Sequence, residues 1–196
     1  MKNPNRIIGL LLAGGKATRM GGIDKGMAIW NGEPMAERVQ RALKAVTPQF
    51  FISANRSLHD YESLAPGRVL ADLEHLQGQG PLAGLLTGLI TAKDQGAGAV
   101  LVCPCDTPGI TSDIFKTLIS AWEIQPDRPV IVENQGRTHP LHGVYPVSLI
   151  EELESWLATD NRRVMGFVKK VGAVMVDCPE AEAVFKNRNR PDDLTG

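Results

Sequence analysis

Ile7-Ile8-Gly9-Leu10-Leu11-Leu12-Ala13-Gly14-Gly15-Lys16-Ala17-Thr18-Arg19-Met20-Gly21-Gly22-Ile23-Asp24-Lys25 is the stretch that decides the fold. Ile7 to Leu12 is apolar on both faces of an extended chain, as a strand buried inside a parallel sheet must be. Glycines then come at 14, 15, 21 and 22, with Lys16, Arg19 and Lys25 among them. Backbone without Cβ atoms brings bare N–H groups close to anionic oxygens, and ligands of open α/β sheets bind at the carboxyl ends of the strands. The segment therefore suits a polyphosphate. It is neither a Walker loop, because no Gly-Lys-Ser/Thr stands at the required offset, nor a G-x-G-x-x-G fingerprint, because Lys16 follows Gly15. Lys2 and Arg6 before the apolar run imitate a secretory signal, but a charged, glycine-rich segment follows at once, and a buried first strand explains both.

Outward from this stretch, strand-length apolar runs alternate with segments of helical period, the pattern of an α/β sheet with crossover helices. Helices are expected over Pro34 to Val46, from Pro81 onward, over Thr111 to Trp122, Ser148 to Leu157 and Val164 to Val171. Met35, Val39, Ala42, Leu43 and Val46 form one stripe of the first, and Pro81 sits where a helix tolerates a missing N–H. Strands are expected at Phe50 to Ala54, Arg68 to Ala71, Ala99 to Cys103, Val130 to Glu133, Gly143 to Pro146 and Ala173 to Val176. The segment from Leu58 to Gly67 reads as a loop. No linker or repeat interrupts the series, so residues 1–196 read as one domain.

Composition narrows the function. Lys and Arg total 21 against 22 Asp and Glu, a net charge of −1. Such a balance speaks against a general nucleic-acid binder, and no apolar run approaches the ~18 residues of a membrane span. Cys103, Cys105 and Cys178 are an odd count, which fits reduced, buried thiols better than a disulfide framework. His139 and His142 form only an H-x-x-H around a proline, for which a structural role is the plainer reading than a metal pair.

Single residues at strand ends carry the chemistry. Asp106 follows the apolar strand ending at Cys103; a lone carboxylate there suits Mg²⁺, and a turn-forming Asp is the plain alternative. Asp72 ends the strand Arg68 to Ala71, where a carboxylate can accept from a pair of adjacent ligand donors; a surface-loop Asp is the alternative. Gly80-Pro81-Leu82-Ala83-Gly84 places a helix N-terminus, either as a nucleotide contact or as a simple helix start. Asn187 and Asn189 stand on alternate positions of an extended segment, each with a donor and an acceptor.

Leu12-Ala13-Gly14-Gly15 with Arg19-Met20-Gly21 and Lys25 resembles the signature loop of the Rossmann-like nucleotidyltransferases. Ala54-Asn55-Arg56, Gly80 to Gly84, Cys103-Pro104-Cys105-Asp106-Thr107-Pro108, Arg162-Arg163-Val164-Met165 and Asn187-Arg188-Asn189 follow in family order. From residue 7 to 194 the chain thus resembles the molybdenum cofactor guanylyltransferases of the MobA type. The resemblance implies an α/β fold of three layers, with a mostly parallel central sheet flanked by helices. It implies GMP transfer from GTP to the phosphate of molybdopterin, with release of pyrophosphate. Catalytic roles fall to Arg19, Lys25 and Asp106, with Asp106 the ligand of Mg²⁺, or of Mn²⁺. GTP would be held by Leu12, Ala13, Gly14, Gly15, Lys25, Ser53, Asn55, Asp72, Gly80, Gly84 and Asp106. Asn187, Asn189 and Arg162 would face molybdopterin, although Arg162 also suits a solvated helix face. A cytoplasmic location and transient contact with a molybdenum-insertion enzyme are implied as well.

Two departures stand out. Ser53 occupies a position where the family usually has Asn, and Arg190 rather than Thr precedes Pro191. The competing readings are another nucleotidyltransferase of this fold, adding cytidylyl to the cofactor or acting on a sugar or polyol phosphate, and a non-catalytic GTP-binding module that delivers the cofactor.

Overall fold

The apolar run beginning at Ile7 becomes the centre of a seven-stranded sheet. The computed structural model describes residues 3–13, 24–179, 182–189 and 191–194. Gly14, Gly15, Lys16, Arg19 and Arg190 lie outside the described residues. β1 (Asn3–Leu12) alternates as a two-sided strand must: Ile8, Leu10 and Leu12 enter one core cluster, while Leu11 and Ala13 enter the other.

Past Lys25 the chain makes a two-strand hairpin of β2 (Ile29–Trp30) and β3 (Glu33–Pro34), turned through Asn31 (φ 49°) and Gly32 (φ 86°). Two successive positive φ values mark the type I′ turn that Asn-Gly favours. Helix α1 (Met35–Lys44) buries Met35, Val39 and Leu43 of the expected stripe together with Ala36, while Ala42 and, past the helix end, Val46 are only partly buried. β4 (Phe50–Ser53) pairs with β1, and β5 (Val69–Leu70) pairs with β4. Between them Leu58–Leu64 forms helix α2, not the loop expected for Leu58 to Gly67. Only Tyr61 of that helix is buried, so seven residues offered no periodic stripe.

Helix α3 (Pro81–Asp94) begins with Pro81 at its first turn, as its position promised. Gly80 before it has φ 88° and ψ −171°, a backbone region open essentially to glycine alone. Gly84 and Gly88 lie one turn apart on the face that meets the sheet. A Cβ at Gly84 would stand 2.5 Å from Ser53 Oγ, and one at Gly88 would stand 2.4 Å from Leu10 Cδ2. These two glycines let α3 sit down on β1 and β4.

β6 (Ala97–Pro104) pairs in parallel with β1 from Ile7↔Ala99 to Leu12↔Pro104. After α4 (Ser112–Ile124) come β7 (Val130–Asn134) and β8 (Arg137–Pro146), then α5 (Ile150–Ala158), α6 (Val164–Lys170) and β9 (Val174–Asp177). β8 is longer than the expected strand at Gly143 to Pro146. Its early part was hidden by Pro140, which falls where the β7 register jumps from Ile131↔Gly143 to Val132↔His139. A residue with no N–H is tolerated at such a bulge.

The sheet order is β5-β4-β1-β6-β8-β7-β9, with only β8 antiparallel to its neighbours. Side chains of α1, α2 and α4 fill the core on one face, and those of α3, α5 and α6 fill the other. The three-layer α/β architecture is as expected. No helix among the described residues is long and apolar enough to cross a membrane.

Candidate functional site

The chain leaves β1 toward β4 on one side and returns to β6 on the other, so the carboxyl ends of β1 and β6 form a topological switch point. The two ends are tied together by Cys105 N–H, which donates to Leu12 C=O at 3.0 Å. Ala13 N–H donates to Ser53 C=O at 2.8 Å on the β4 side. The Leu12 carbonyl and the Ala13 amide are thus engaged within the sheet, and they hold the exit of β1 in a fixed frame.

Asp106 stands at the exit of β6 and is buried. Its Oδ2 accepts from Lys25 Nζ, which also donates to Asn189 Oδ1. Residues 25, 106 and 189 therefore meet at one point. Lys25 is held there from below: Asp24 caps the short 3-10 turn Lys25–Met27, its Oδ1 accepting from Gly26 N–H at 3.0 Å and from the buried Tyr61 hydroxyl. Burial and the neighbouring acidic groups push the Tyr61 phenol well above its ordinary range, so it stays a donor. Neither Tyr61 nor Asp24 was singled out from the sequence, because a helix of seven residues gave no sign that its one tyrosine reached across to this turn.

Asp106 Oδ1 is buried and meets no hydrogen-bond partner among the described residues. An unpartnered carboxylate oxygen beside a basic group fits a hard divalent cation, which takes one or two protein carboxylates and completes its shell with phosphate oxygens and water. Among the described residues no group of three or more His, Cys, Asp or Glu side chains could hold a metal by itself. The donor set matches a cation shared with a phosphate substrate.

A second carboxylate lies beyond β5. Asp72 is buried, with Oδ2 accepting from Asn55 Nδ2 at 2.7 Å and Oδ1 accepting from Ser53 Oγ at 3.3 Å. Asp72 N–H returns a bond to Asn55 Oδ1 at 2.9 Å. Burial raises the Asp72 carboxyl above its ordinary value, opposed by the bonds from Asn55 and Ser53. Each of its oxygens keeps a second lone-pair direction for a ligand donor. Ser53, Asn55 and Asp72 are thus brought together, with the first two orienting the third. Gly84 lies directly under the Ser53 hydroxyl, and Gly80 opens the helix that carries it.

The C-terminal residues line a separate cavity of about 640 Å³, bounded by Asn134, Arg137, His139, Phe185, Asn187 and Asn189 among others. The His139 ring stacks on Phe185 at 4.7 Å, and the buried His142 shares a hydrogen bond of 2.8 Å with Thr107 Oγ1. Burial holds His142 down to about 3 and lowers His139, so both imidazoles are neutral near pH 7. Arg162 is not among the residues around this cavity. It is exposed beyond α5 and pairs with Asp160 at 2.5 Å. Cys103, Cys105 and Cys178 are all buried, as expected for thiols that belong to the core.

A mostly parallel sheet with a lysine–carboxylate pair at its switch point and a second, oriented carboxylate beyond the edge strand β5 has the layout of a Rossmann-like nucleotide-binding protein. Comparison with known proteins narrows the class. Residues 9–174 match the MobA-like NTP transferase domain, and the chain belongs to that family. A molybdenum cofactor guanylyltransferase of Cereibacter sphaeroides is 38% identical over 189 residues, which span 96% of this chain and 94% of the relative. One of Haemophilus influenzae is 36% identical over 190 residues, or 96% and 95% of the two chains. Among solved structures, molybdopterin-guanine dinucleotide biosynthesis protein A of Archaeoglobus fulgidus superposes with a TM-score of 0.78 at 22% identity. That superposition covers 95% of this chain and 94% of the other, and it shows the shared fold.

Proposed function

We propose that the protein transfers GMP from GTP to the phosphate of molybdopterin, forming the guanine dinucleotide of the cofactor and releasing pyrophosphate. The observation that carries this reading is the meeting of Lys25, Asp106 and Asn189. It joins a phosphate-seeking cation, a metal-seeking carboxylate and the C-terminal asparagine segment at one point, as a reaction between two phosphorylated substrates requires.

A phosphate oxygen of molybdopterin attacks the α-phosphorus of GTP, and the bond from that phosphorus to the bridging oxygen of the β-phosphate breaks. The nucleophile is already anionic, so no proton has to be removed, and positioning with charge neutralisation supplies the catalysis. Lys25 Nζ neutralises the triphosphate and follows the charge onto the departing pyrophosphate. Asp106 offers Oδ1 to a divalent cation, Mg²⁺ in this reading with Mn²⁺ as substitute, whose bound charge offsets that of the phosphates. Arg19, Gly14 and Gly15 are assigned to the triphosphate by family resemblance. Asp72, oriented by Ser53 and Asn55, accepts the two guanine donors, and the start of α3 at Gly80 faces the nucleotide. Asn187 and Asn189 line the molybdopterin cavity, with Arg137 and Lys186 at its wall as cations for the acceptor phosphate. The reading has one domain over residues 1–196, a cytoplasmic location and delivery of the pterin by a molybdenum-insertion enzyme.

The test mixes the protein with Mg²⁺, GTP and molybdopterin and measures the guanine dinucleotide and pyrophosphate. Asp106→Ala should lose product formation while keeping its circular dichroism spectrum. Normal turnover by that variant would remove Asp106 from the metal site, and preferential use of CTP by the unaltered chain would overturn guanylyl transfer.

A further inference from the structure

The hairpin of β2 and β3 carries no residue assigned to either substrate, yet it gathers the C-terminal segment. The Arg188 guanidinium lies over the Trp30 ring at 5.4 Å from its centroid, and that of Arg38 lies over the same ring at 4.6 Å. Arg38 is itself fixed: its Nη1 donates to Glu33 Oε1 at 2.7 Å and its Nε to Pro108 C=O at 3.3 Å. Glu33 stands opposite Trp30 in the hairpin. Leu194 joins Trp30 in packing against the buried Ala28 and Met35. The segment thus touches the Trp30 cluster at Arg188 and again at Leu194, on either side of Asn189. Between these anchors Arg188 N–H donates to Asp106 C=O at 2.8 Å, and Asn189 N–H donates to Asp193 Oδ2 at 2.9 Å.

We infer that Trp30 is a positioning residue for the acceptor substrate: through Arg188 and Leu194 it moors residues 187–189 at the edge of the site. The inference rests on the reading that Asn187 and Asn189 face molybdopterin. Arg188 stands between those two asparagines, so any slack in its side chain passes directly to both. Among the described residues nothing in the mooring touches Asp72 or its two orienting partners. The contacts with Lys25 and Asp106 run through the Asn189 side chain and the Arg188 amide, which replacement of the Trp30 or Arg188 side chain leaves in place. The effect is therefore expected on the acceptor more than on the nucleotide. Trp30 supplies a rigid aromatic face that a guanidinium can cover, which an aliphatic residue would not.

Two variants and two readouts test the mooring. Trp30→Ala and Arg188→Met should each raise KM for molybdopterin about tenfold, the worth of one well-placed cation–π contact, with KM for GTP kept within about twofold. Trp30→Phe, which keeps a ring, should restore most of the loss. Amide hydrogen exchange of the peptide 186–194 in the full chain without substrates should quicken in Trp30→Ala and Arg188→Met. A parallel rise in KM for GTP, or unchanged exchange of that peptide, would overturn the inference. Faster exchange with unchanged KM for molybdopterin would also overturn it, provided Asn189→Ala raises that KM. If Asn187→Ala and Asn189→Ala both leave the KM for molybdopterin unchanged, the assignment of the acceptor to this segment fails instead, and the exchange data alone decide the mooring.

Discussion

Replacing Asp72 by Asn tests the base pocket with a single atom exchange. The carboxylate shows a ligand two acceptors, each already steadied from one side by Asn55 at 2.7 Å and Ser53 at 3.3 Å. Guanine offers two adjacent donors to match them. An amide shows one acceptor and one donor, so one charge-assisted bond to guanine is lost and an N–H faces an N–H. A hydrogen bond to a charged group contributes about 1.5–3 kcal/mol, so kcat/KM for GTP should fall roughly 10- to 150-fold. Adenine, with a donor beside an acceptor, is complementary to the amide, and its kcat/KM should not fall. The ratio of GTP to ATP therefore drops by at least the loss on GTP. Competition of the two nucleotides for molybdopterin, with product separated by chromatography, measures that ratio directly. Inosine triphosphate, which lacks the 2-amino donor, serves as a second probe and should already be a poorer substrate than GTP for the unaltered chain.

The same substitution has an opposite effect on stability. Burial raises the folded-state pKa of Asp72 above the ordinary 3.8, so the folded chain holds this proton more tightly than the unfolded chain does. Stability from this group is therefore greatest at acid pH and falls as pH rises through the folded pKa. At neutral pH the Asp72 charge is a cost, and Asp72→Asn should melt no lower than the unaltered chain when nucleotide is absent. A variant that keeps its GTP to ATP ratio, or that loses activity only through a lowered melting temperature, would refute this account of the pocket.

Gly88→Ala gains roughly 1 kcal/mol of helix propensity but drives a Cβ to 2.4 Å from the buried Leu10, an overpacking that costs about 1–3 kcal/mol. Urea unfolding should show a net loss of up to ~2 kcal/mol, and a gain of ~1 kcal/mol would mean that α3 rides higher on β1 than described. His142 stays neutral down to about pH 3 when folded, while the unfolded imidazole protonates near 6.5. Stability should thus be flat above that value and fall below it, by about 2 kcal/mol at pH 5 from this residue alone. His139 is shifted in the same direction. Urea melts between pH 8 and pH 5 measure the slope, and His142→Gln should flatten it.

The sheet was legible because its strands are apolar on two faces and its long helices carry stripes. Ile7 to Leu12, Ala99 to Cys103 and Thr111 to Trp122 each end within four residues of the observed elements. What escaped notice was short or interrupted. Leu58–Leu64 is too brief to show a period, and Arg137 to His142 carries charge, imidazole and proline in the part of β8 that bulges away from β7. The Asn31-Gly32 turn was readable from its dipeptide, yet strands of two residues gave nothing to flank it. In the site, Lys25, Asp106 and Asn189 meet at one point and Ser53, Asn55 and Asp72 at another, and the spacing marked these residues without showing the contacts between them. The contacts of Asp24 with Tyr61 and of Trp30 with Arg188 cross the fold, and no local pattern announces a contact between positions so far apart in sequence.

The placement of β1 bears on how the chain is made. It precedes the other described strands along the chain, and its neighbours in the sheet are β4 and β6. One edge is covered once Ser53 has emerged, but the other must wait for the chain to reach Pro104. At the ~5–20 residues per second of translation, that edge of an unbroken Ile-Leu strand stays open for roughly 5–20 seconds. A nascent chain of this length is a natural client for a chaperone that shields apolar strands, and slowing translation between β4 and β6 should lower the soluble yield without altering the finished enzyme.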